Sequence, residues 1–302
     1  MRELIIIGGG PAGMTAAVYA ARKRIDALLL SKDIGGQVLT TTGVENYMGY
    51  QYIEGFELMQ KFEEQVKLFP LEQKIGQGVA GLSQLDAGFE VTIDNGESHQ
   101  AKAVIVATGK RPRPLNVPGE EQLRGRGVTY CAICDGPLFT GQKVAVIGGG
   151  NSALEAADDM VKIAQYVYLV SLTPFTGDRI LIDKVRDASN LTAFLEHEVV
   201  AIEGESRVEA IAIRDLKSGE ENRLQVGGVF IEIGLIPNSE LASGIARLNE
   251  LGEIEVNCAN ETGIPGLFAA GDVTNVLEKQ IVVAAGEGAK ASLQAHKYIQ
   301  RL

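Results

Sequence analysis

A short apolar strand, a glycine-rich loop and an alanine-rich helix follow one another twice in this chain. In the first copy Leu4-Ile5-Ile6-Ile7 runs into Gly8-Gly9-Gly10-Pro11-Ala12-Gly13. Ala16, Ala17, Ala20 and Ala21 then recur at helical spacing, with Pro11 at the head of the helix, and Ala27-Leu28-Leu29-Leu30 is the next strand. An unbroken β-branched run of this kind belongs to a parallel sheet covered on both faces, and the whole is a βαβ unit of about 30 residues. In the second copy Val144-Ala145-Val146-Ile147 leads into Gly148-Gly149-Gly150-Asn151-Ser152-Ala153. A helix through Ala156, Ala157 and Met160 follows, and then a strand over 166–170. The repeat predicts an α/β chain of two Rossmann-like dinucleotide-binding domains.

Such a loop needs glycine because the turn is tight, the backbone must come close to a pyrophosphate, and the helix must pack on the strand. The helix N-terminus offers its unpaired N–H groups to the phosphates. Gly8, Gly10, Pro11, Ala12 and Gly13 are therefore candidate cofactor contacts. The acid expected about 20 residues on for the ribose hydroxyls is missing. Ser31 stands there, with Asp33 two residues further, and either can accept that bond. A third strand over 104–107 ends at Thr108-Gly109, and Gly266-Leu267-Phe268-Ala269-Ala270-Gly271-Asp272 reads as a strand ending in an acid that accepts from a hydroxyl. The last helix, over 285–299, is rich in alanine. If this tail completes the first fold, the second fold is an insertion: 1–112 with 241–302 form one domain and 113–240 the other. The Pro-rich segment 111–114 and the segment 234–238 are then the two hinges.

The chain has 302 residues, a size that suits two domains, and its composition is that of a soluble globular protein. No apolar run nears the ~20 residues of a membrane span, and Leu4 to Ile7 run directly into Gly8 without the pattern of an export signal. A cytoplasmic protein is expected. The net charge of −11 argues against nucleic-acid binding.

Cys131-Ala132-Ile133-Cys134-Asp135-Gly136 lies shortly before the second glycine loop. A C-x-x-C pair can cycle between dithiol and disulfide with one thiol at a lowered pKa, or supply half of a zinc site. No second such pair completes a zinc site, and His99, His197 and His296 are scattered, so redox chemistry is expected and no metal. Asp135 can take a proton from one thiol and return it to the leaving thiolate. Cys258, alone in a strand-like stretch, reads as a buried structural thiol. Lys110, Arg111, Arg113, Arg124 and Arg126 cluster upstream of the cysteines and are expected to steer an acidic protein partner.

G-G-G-P-A-G, A-T-G, C-x-x-C-D-G, G-G-G-N-S-A and A-A-G-D occur in the order seen in low-molecular-weight, bacterial-type thioredoxin reductases, and the resemblance covers essentially the whole chain. Residues 136–139, 230–238 and 279–292 also resemble the flavoprotein component of alkyl hydroperoxide reductase, whose extra N-terminal redox domain has no counterpart in these 302 residues. The resemblance implies FAD in the first fold, with its pyrophosphate at 8–13. Gln37, Thr41, Thr42, Asn46, Thr108, Gly109 and Gly271 would be nearby, Asp272 would hold the ribityl chain, and Gln280 and Ile281 would meet the isoalloxazine. By the same resemblance Cys134 faces the flavin, Cys131 attacks a thioredoxin-like partner, Asp135 serves as acid and base, and the chain is a homodimer.

One element departs from the pattern. Where NADPH-using relatives carry His-Arg-Arg, this chain has Ser171-Leu172-Thr173, and where NADH-using relatives carry an acid, Ser171 is none. Losing two charge-assisted hydrogen bonds costs roughly 3–6 kcal/mol, so NADPH is expected to be a poor donor or none, with ferredoxin as another candidate. Arg179 nearby is a poor substitute for a clamp. The loop at 148–153 then reads equally as a nucleotide site or as an inherited frame. A dithiol oxidase using oxygen, a peroxiredoxin-reducing flavoprotein and a flavin-binding redox sensor are the alternative functions.

Overall fold

The computed structural model describes the chain except for Thr41, Thr42 and Glu45 and the side chains of Thr40, Ile133 and Cys134. It divides into two compact units, Met1–Arg111 with Ile236–Leu302, and Pro112–Leu235. The chain passes between them twice, and the crossing segments Lys110–Pro112 and Leu235–Pro237 pair as a two-stranded ribbon. Residues 236–240 lie with the first unit because Asn238 is bound there on three sides. Its side-chain Nδ2 donates to the Thr108 carbonyl at 2.8 Å, its own carbonyl accepts from Thr108 Oγ1 at 2.6 Å, and its backbone N–H reaches Gly109 O at 2.9 Å.

In the first unit the strands Glu72–Ile75, Ala27–Ser31, Arg2–Ile7 and Ser98–Val106 lie side by side in parallel. Leu267–Ala269 joins Ser98–Val106 in parallel, so the C-terminal segment completes this sheet. Gly88–Ile93 and Val79–Leu85 extend it as an antiparallel edge. The first strand shows why both faces must be covered. Leu4 and Ile6 enter one apolar core with the helices Pro11–Arg22 and Ile281–Ile299, while Ile5 and Ile7 enter a second core on the opposite face. The two helices approach so closely that a methyl on Gly288 would overlap the Ala12 carbonyl.

In the second unit Val128–Thr129, Gly228–Ile231, Lys143–Ile147, Tyr166–Ser171 and Leu191–Leu195 form an all-parallel sheet. The helix Asn151–Ile163 buries Ala153, Leu154, Ala156, Ala157 and Met160 against it. The other face is closed by an antiparallel sheet of His197–Glu203, Ala210–Asp215 and Glu221–Gln225, which contributes Val199, Ile202, Ile211 and Ile213 to that core. Among the described residues no helix is long and apolar enough to cross a membrane.

Candidate functional site

The first glycine loop is built as a cradle. Gly8 has φ +120°, a conformation that L side chains rarely adopt, and a methyl there would overlap the Ala107 carbonyl at the end of the neighbouring strand. A methyl on Gly13 would overlap the Gly8 carbonyl, while one on Gly10 would point into open space. Gly10 begins the helix Pro11–Arg22 without a side-chain cap, so the N–H groups of the first turn are left for an anion. Ser31 is buried and its hydroxyl donates to the Asp33 carbonyl at 2.5 Å, which leaves its lone pairs to accept.

Several candidate residues far apart in sequence meet in this unit. Gln37 Nε2 donates to Asp272 Oδ2 at 3.4 Å, and Asn46 Nδ2 donates to Gln280 Oε1 at 3.0 Å. Ile281 packs against Val44, Ile53 and Leu58. Burial raises the Asp272 carboxyl above its usual range, against the opposing pull of Lys279 and Lys110. A half-buried carboxyl with one long hydrogen bond suits a ligand hydroxyl. The open face at Gly10, the uncapped helix and Asp272 together fit the dinucleotide FAD. Thr41 and Thr42 lie outside the described residues.

A charge network that sequence reading missed stands beside these residues. Glu253, almost wholly buried, accepts from Lys110 Nζ at 2.8 Å and pairs with Lys279 at 3.0 Å. Lys279 also donates to the carbonyls of Asp272 at 3.4 Å and Thr274 at 2.5 Å. Burial alone would raise Glu253, but the bonds from Lys110, Asn249 and Lys279 outweigh it and hold the carboxyl at about 2. Three of the five cations expected to form a basic steering patch are therefore engaged within the chain. Lys110 is spent on Glu253, Arg111 on Asn238 and Glu240, and Arg124 lies over the Tyr130 ring at 5.2 Å.

In the second unit Cys131 is disulfide-bonded and half-buried at the head of the short helix Ala132–Asp135. The side chain of Cys134 is outside the described residues. Asp135 is fixed back onto this turn: its carboxylate accepts from Thr129 Oγ1, Thr129 Oγ1 accepts from the Cys131 N–H at 3.2 Å, and the Asp135 N–H donates to the Cys131 carbonyl at 3.2 Å. Cys258 is corrected by the structure. It is free and exposed, because the Asn257 side chain folds this segment into a turn by accepting from the N–H groups of Ala259 and Glu261.

The second glycine loop opens on a cavity of about 770 Å³, lined among others by 148–152, Ser171, Leu172, Thr173, His197, Glu198 and Glu232. Among the described residues Arg113 is the one lysine or arginine in its wall. Ser171 is buried and donates to the Thr173 carbonyl at 2.7 Å, whereas Leu172 is exposed. Glu232 was not singled out from sequence, although an acid inside the apolar run Phe230-Ile231-Glu232-Ile233 was a visible signal. It lines the cavity, and its Oε1 accepts from the Ala132 N–H of the cysteine loop at 3.4 Å. Burial raises its carboxyl to about 7; the Ala132 N–H works against this and Glu155 adds to it.

The pyridine nucleotide-disulphide oxidoreductase family matches residues 2–288. The F component of the alkyl hydroperoxide reductase of Pseudomonas putida is 44% identical over 305 residues, covering 99% of this chain and 58% of that protein. The chain thus spans less than two-thirds of the curated relatives it matches. Among solved structures, Lactococcus lactis thioredoxin reductase in its FR conformation has a TM-score of 0.86 at 34% identity, covering both chains fully. A ferredoxin-flavin thioredoxin reductase from Clostridium acetobutylicum has a TM-score of 0.54 at 28% identity, covering 100% of this chain and 99% of that one.

Proposed function

The chain belongs to the pyridine nucleotide-disulphide oxidoreductase family, and from that premise we propose that it is an FAD-dependent disulfide reductase. Its Cys131 and Cys134 reduce a thioredoxin-like protein disulfide, and NADPH is a poor donor or none. The carrying observation is the redox loop: Cys131 in a disulfide, with Asp135 tied to the same turn through Thr129. In the dithiol state a thiolate of Cys131 attacks the partner disulfide and Cys134 closes the ring. One disulfide is thereby made and one broken, and Asp135 carries the proton to the leaving thiolate. Residues 8–13, Ser31, Gln37, Asn46, Thr108, Gly109, Gly271, Asp272, Gln280 and Ile281 hold FAD, which supplies the two-electron chemistry when bound.

The donor part rests on the cavity wall. Ser171, Leu172 and Thr173 bring no charge to it, so a 2′-phosphate lying against them finds no clamp. Ferredoxin is the second donor reading, favoured by the same missing cations and by the resemblance to the ferredoxin-flavin enzyme. Anaerobic titration of the flavin-loaded protein with NADPH, NADH and reduced ferredoxin tests this. Flavin bleaching at micromolar NADPH would overturn the donor part. Failure of the reduced protein to reduce either a thioredoxin or a peroxiredoxin would overturn the acceptor part, and peroxide formation from small dithiols would mark a dithiol oxidase instead.

A further inference from the structure

Among the described residues of the second unit, Glu232 touches both the glycine-loop cavity and the cysteine loop. Its backbone is fixed where strand meets glycine loop: its N–H donates to Ile147 O at 2.8 Å, and its carbonyl lies where a methyl on Gly148 would be. Its side chain lines the cavity and reaches the Ala132 N–H. The same place in the first unit is filled by Ala107, whose N–H donates to Ile7 O at 2.8 Å and whose carbonyl opposes Gly8. An ionisable group thus stands where the sister fold has a methyl, and packing alone does not require it.

The surrounding charges give it little relief. Glu155 faces it from the helix Asn151–Ile163. Arg113, His197 and Glu198 line the same cavity, but Glu198 is held by Arg214 at 2.9 Å and the His197 ring by the Leu195 carbonyl at 2.7 Å. Cys131 and Asp135 lie on the loop it binds, with Asp135 held by Thr129. Among the described residues no lysine or arginine pairs with Glu232.

We propose that Glu232 couples the cavity to the cysteine loop: a diphosphate-bearing ligand entering the cavity leaves Glu232 protonated, and the neutral acid holds the Ala132 N–H more weakly than the carboxylate does. The first half follows from like charge, since a carboxylate and a diphosphate in one partly desolvated cavity repel. The second follows because an ionised acceptor makes the stronger hydrogen bond. The position of the neutral point, about 7, puts the exchange in the ordinary pH range. This inference rests on the cavity being a nucleotide site.

Calorimetric titration of NAD⁺ and ADP-ribose into wild type, Glu232→Gln and Glu232→Ala between pH 6 and 8.5 tests it. For wild type the dissociation constant is expected to rise about tenfold from pH 6 to pH 8, with about half a proton taken up per ligand at pH 7, read from buffers of different ionisation heat. Glu232→Gln, which keeps an acceptor for Ala132 but cannot ionise, is expected to bind with a flat profile and no proton uptake. Amide exchange at Ala132 is expected to speed up on binding in wild type and to be unchanged in the Gln variant. Equal pH profiles in wild type and Glu232→Gln overturn the coupling and leave the nucleotide site standing. Absence of binding by wild type at every pH overturns both.

Discussion

The two glycine loops of this chain are alike in their bonding and different in what surrounds them. Gly8 donates to Leu30 O at 2.8 Å and Gly148 to Val170 O at 2.9 Å. In each, the first glycine has a left-handed φ, +120° and +141°, and faces the carbonyl of a neighbouring strand end. A methyl on the second glycine would meet a serine Oγ, that of Ser31 in one case and Ser171 in the other. Each of these serines donates to the carbonyl two residues on. The glycine pattern therefore reports how strand, loop and helix close-pack. It does not by itself say that a nucleotide binds, and still less which one. The departures carry that information: Ala107 against Glu232, Gly13 against Ala153, and a Lys–Glu–Lys network around the buried Glu253 that, among the described residues, the first unit alone has.

The sharpest way to break the symmetry is at the third loop position. A methyl at Gly13 would overlap the Gly8 carbonyl, whereas the second unit already carries Ala153 there. Gly13→Ala is expected to cost about 3 kcal/mol and to abolish flavin retention; Ala153→Gly should cost about 1–2 kcal/mol, the helix-propensity difference plus the burial of one methyl. Chemical denaturation and the visible flavin spectrum read both, and a Gly13→Ala protein that purifies yellow with wild-type stability would show that the loops are interchangeable.

Next comes Glu253. Replacing it with Gln leaves the half-buried Lys110 and Lys279 without their shared counter-charge, at a cost of about 3 kcal/mol. Because its folded pKa is held down to about 2, its contribution is present in full above the unfolded carboxylate range and is lost as pH falls from about 4 toward 2. Denaturation of wild type and Glu253→Gln across that window is expected to converge at the acid end. A constant gap between them would show that the network acts through packing and not through charge.

The smallest expected effect concerns the donor. Leu172 is exposed and Thr173 lies on the cavity rim, so Leu172→Arg with Thr173→Arg can supply the missing clamp at little cost to the fold. The double variant is expected to gain about 1.4–2.8 kcal/mol for NADP⁺ over NAD⁺, a ten- to hundredfold shift in relative affinity. No shift would mean that the 2′-phosphate end of the ligand does not reach 171–173.

Much of this architecture was legible because it is local. The strand of Ile5 and its neighbours, the glycine loop and the helix spaced by Ala16, Ala17 and Ala20 each follow from residues close in sequence, and so does their repetition. Within the candidate site, glycines that cannot bear a side chain and cysteines two residues apart are visible in the same way. What escaped reading were contacts between residues far apart in sequence. Gln37 meets Asp272, Asn46 meets Gln280, and Lys110 meets Glu253. Cys258 stands exposed because of the turn that Asn257 imposes, which its strand-like stretch hides. Nor does sequence show that Lys110 will find Glu253 and Arg111 will find Glu240.

Two dinucleotide-type folds, and a C-x-x-C-D turn in the second, are thus settled by the order of residues along the chain. Backbone sterics and apolar periodicity act over a few residues and are written there directly. Which charges are neutralised, which polar side chains converge, and that Glu232 spans the cavity and the cysteine loop follow from the three-dimensional fold. Burial and electrostatics depend on distance in space, and in this chain those distances are set by strands that pair across long stretches of sequence, Lys143–Ile147 with Gly228–Ile231 and Ser98–Val106 with Leu267–Ala269.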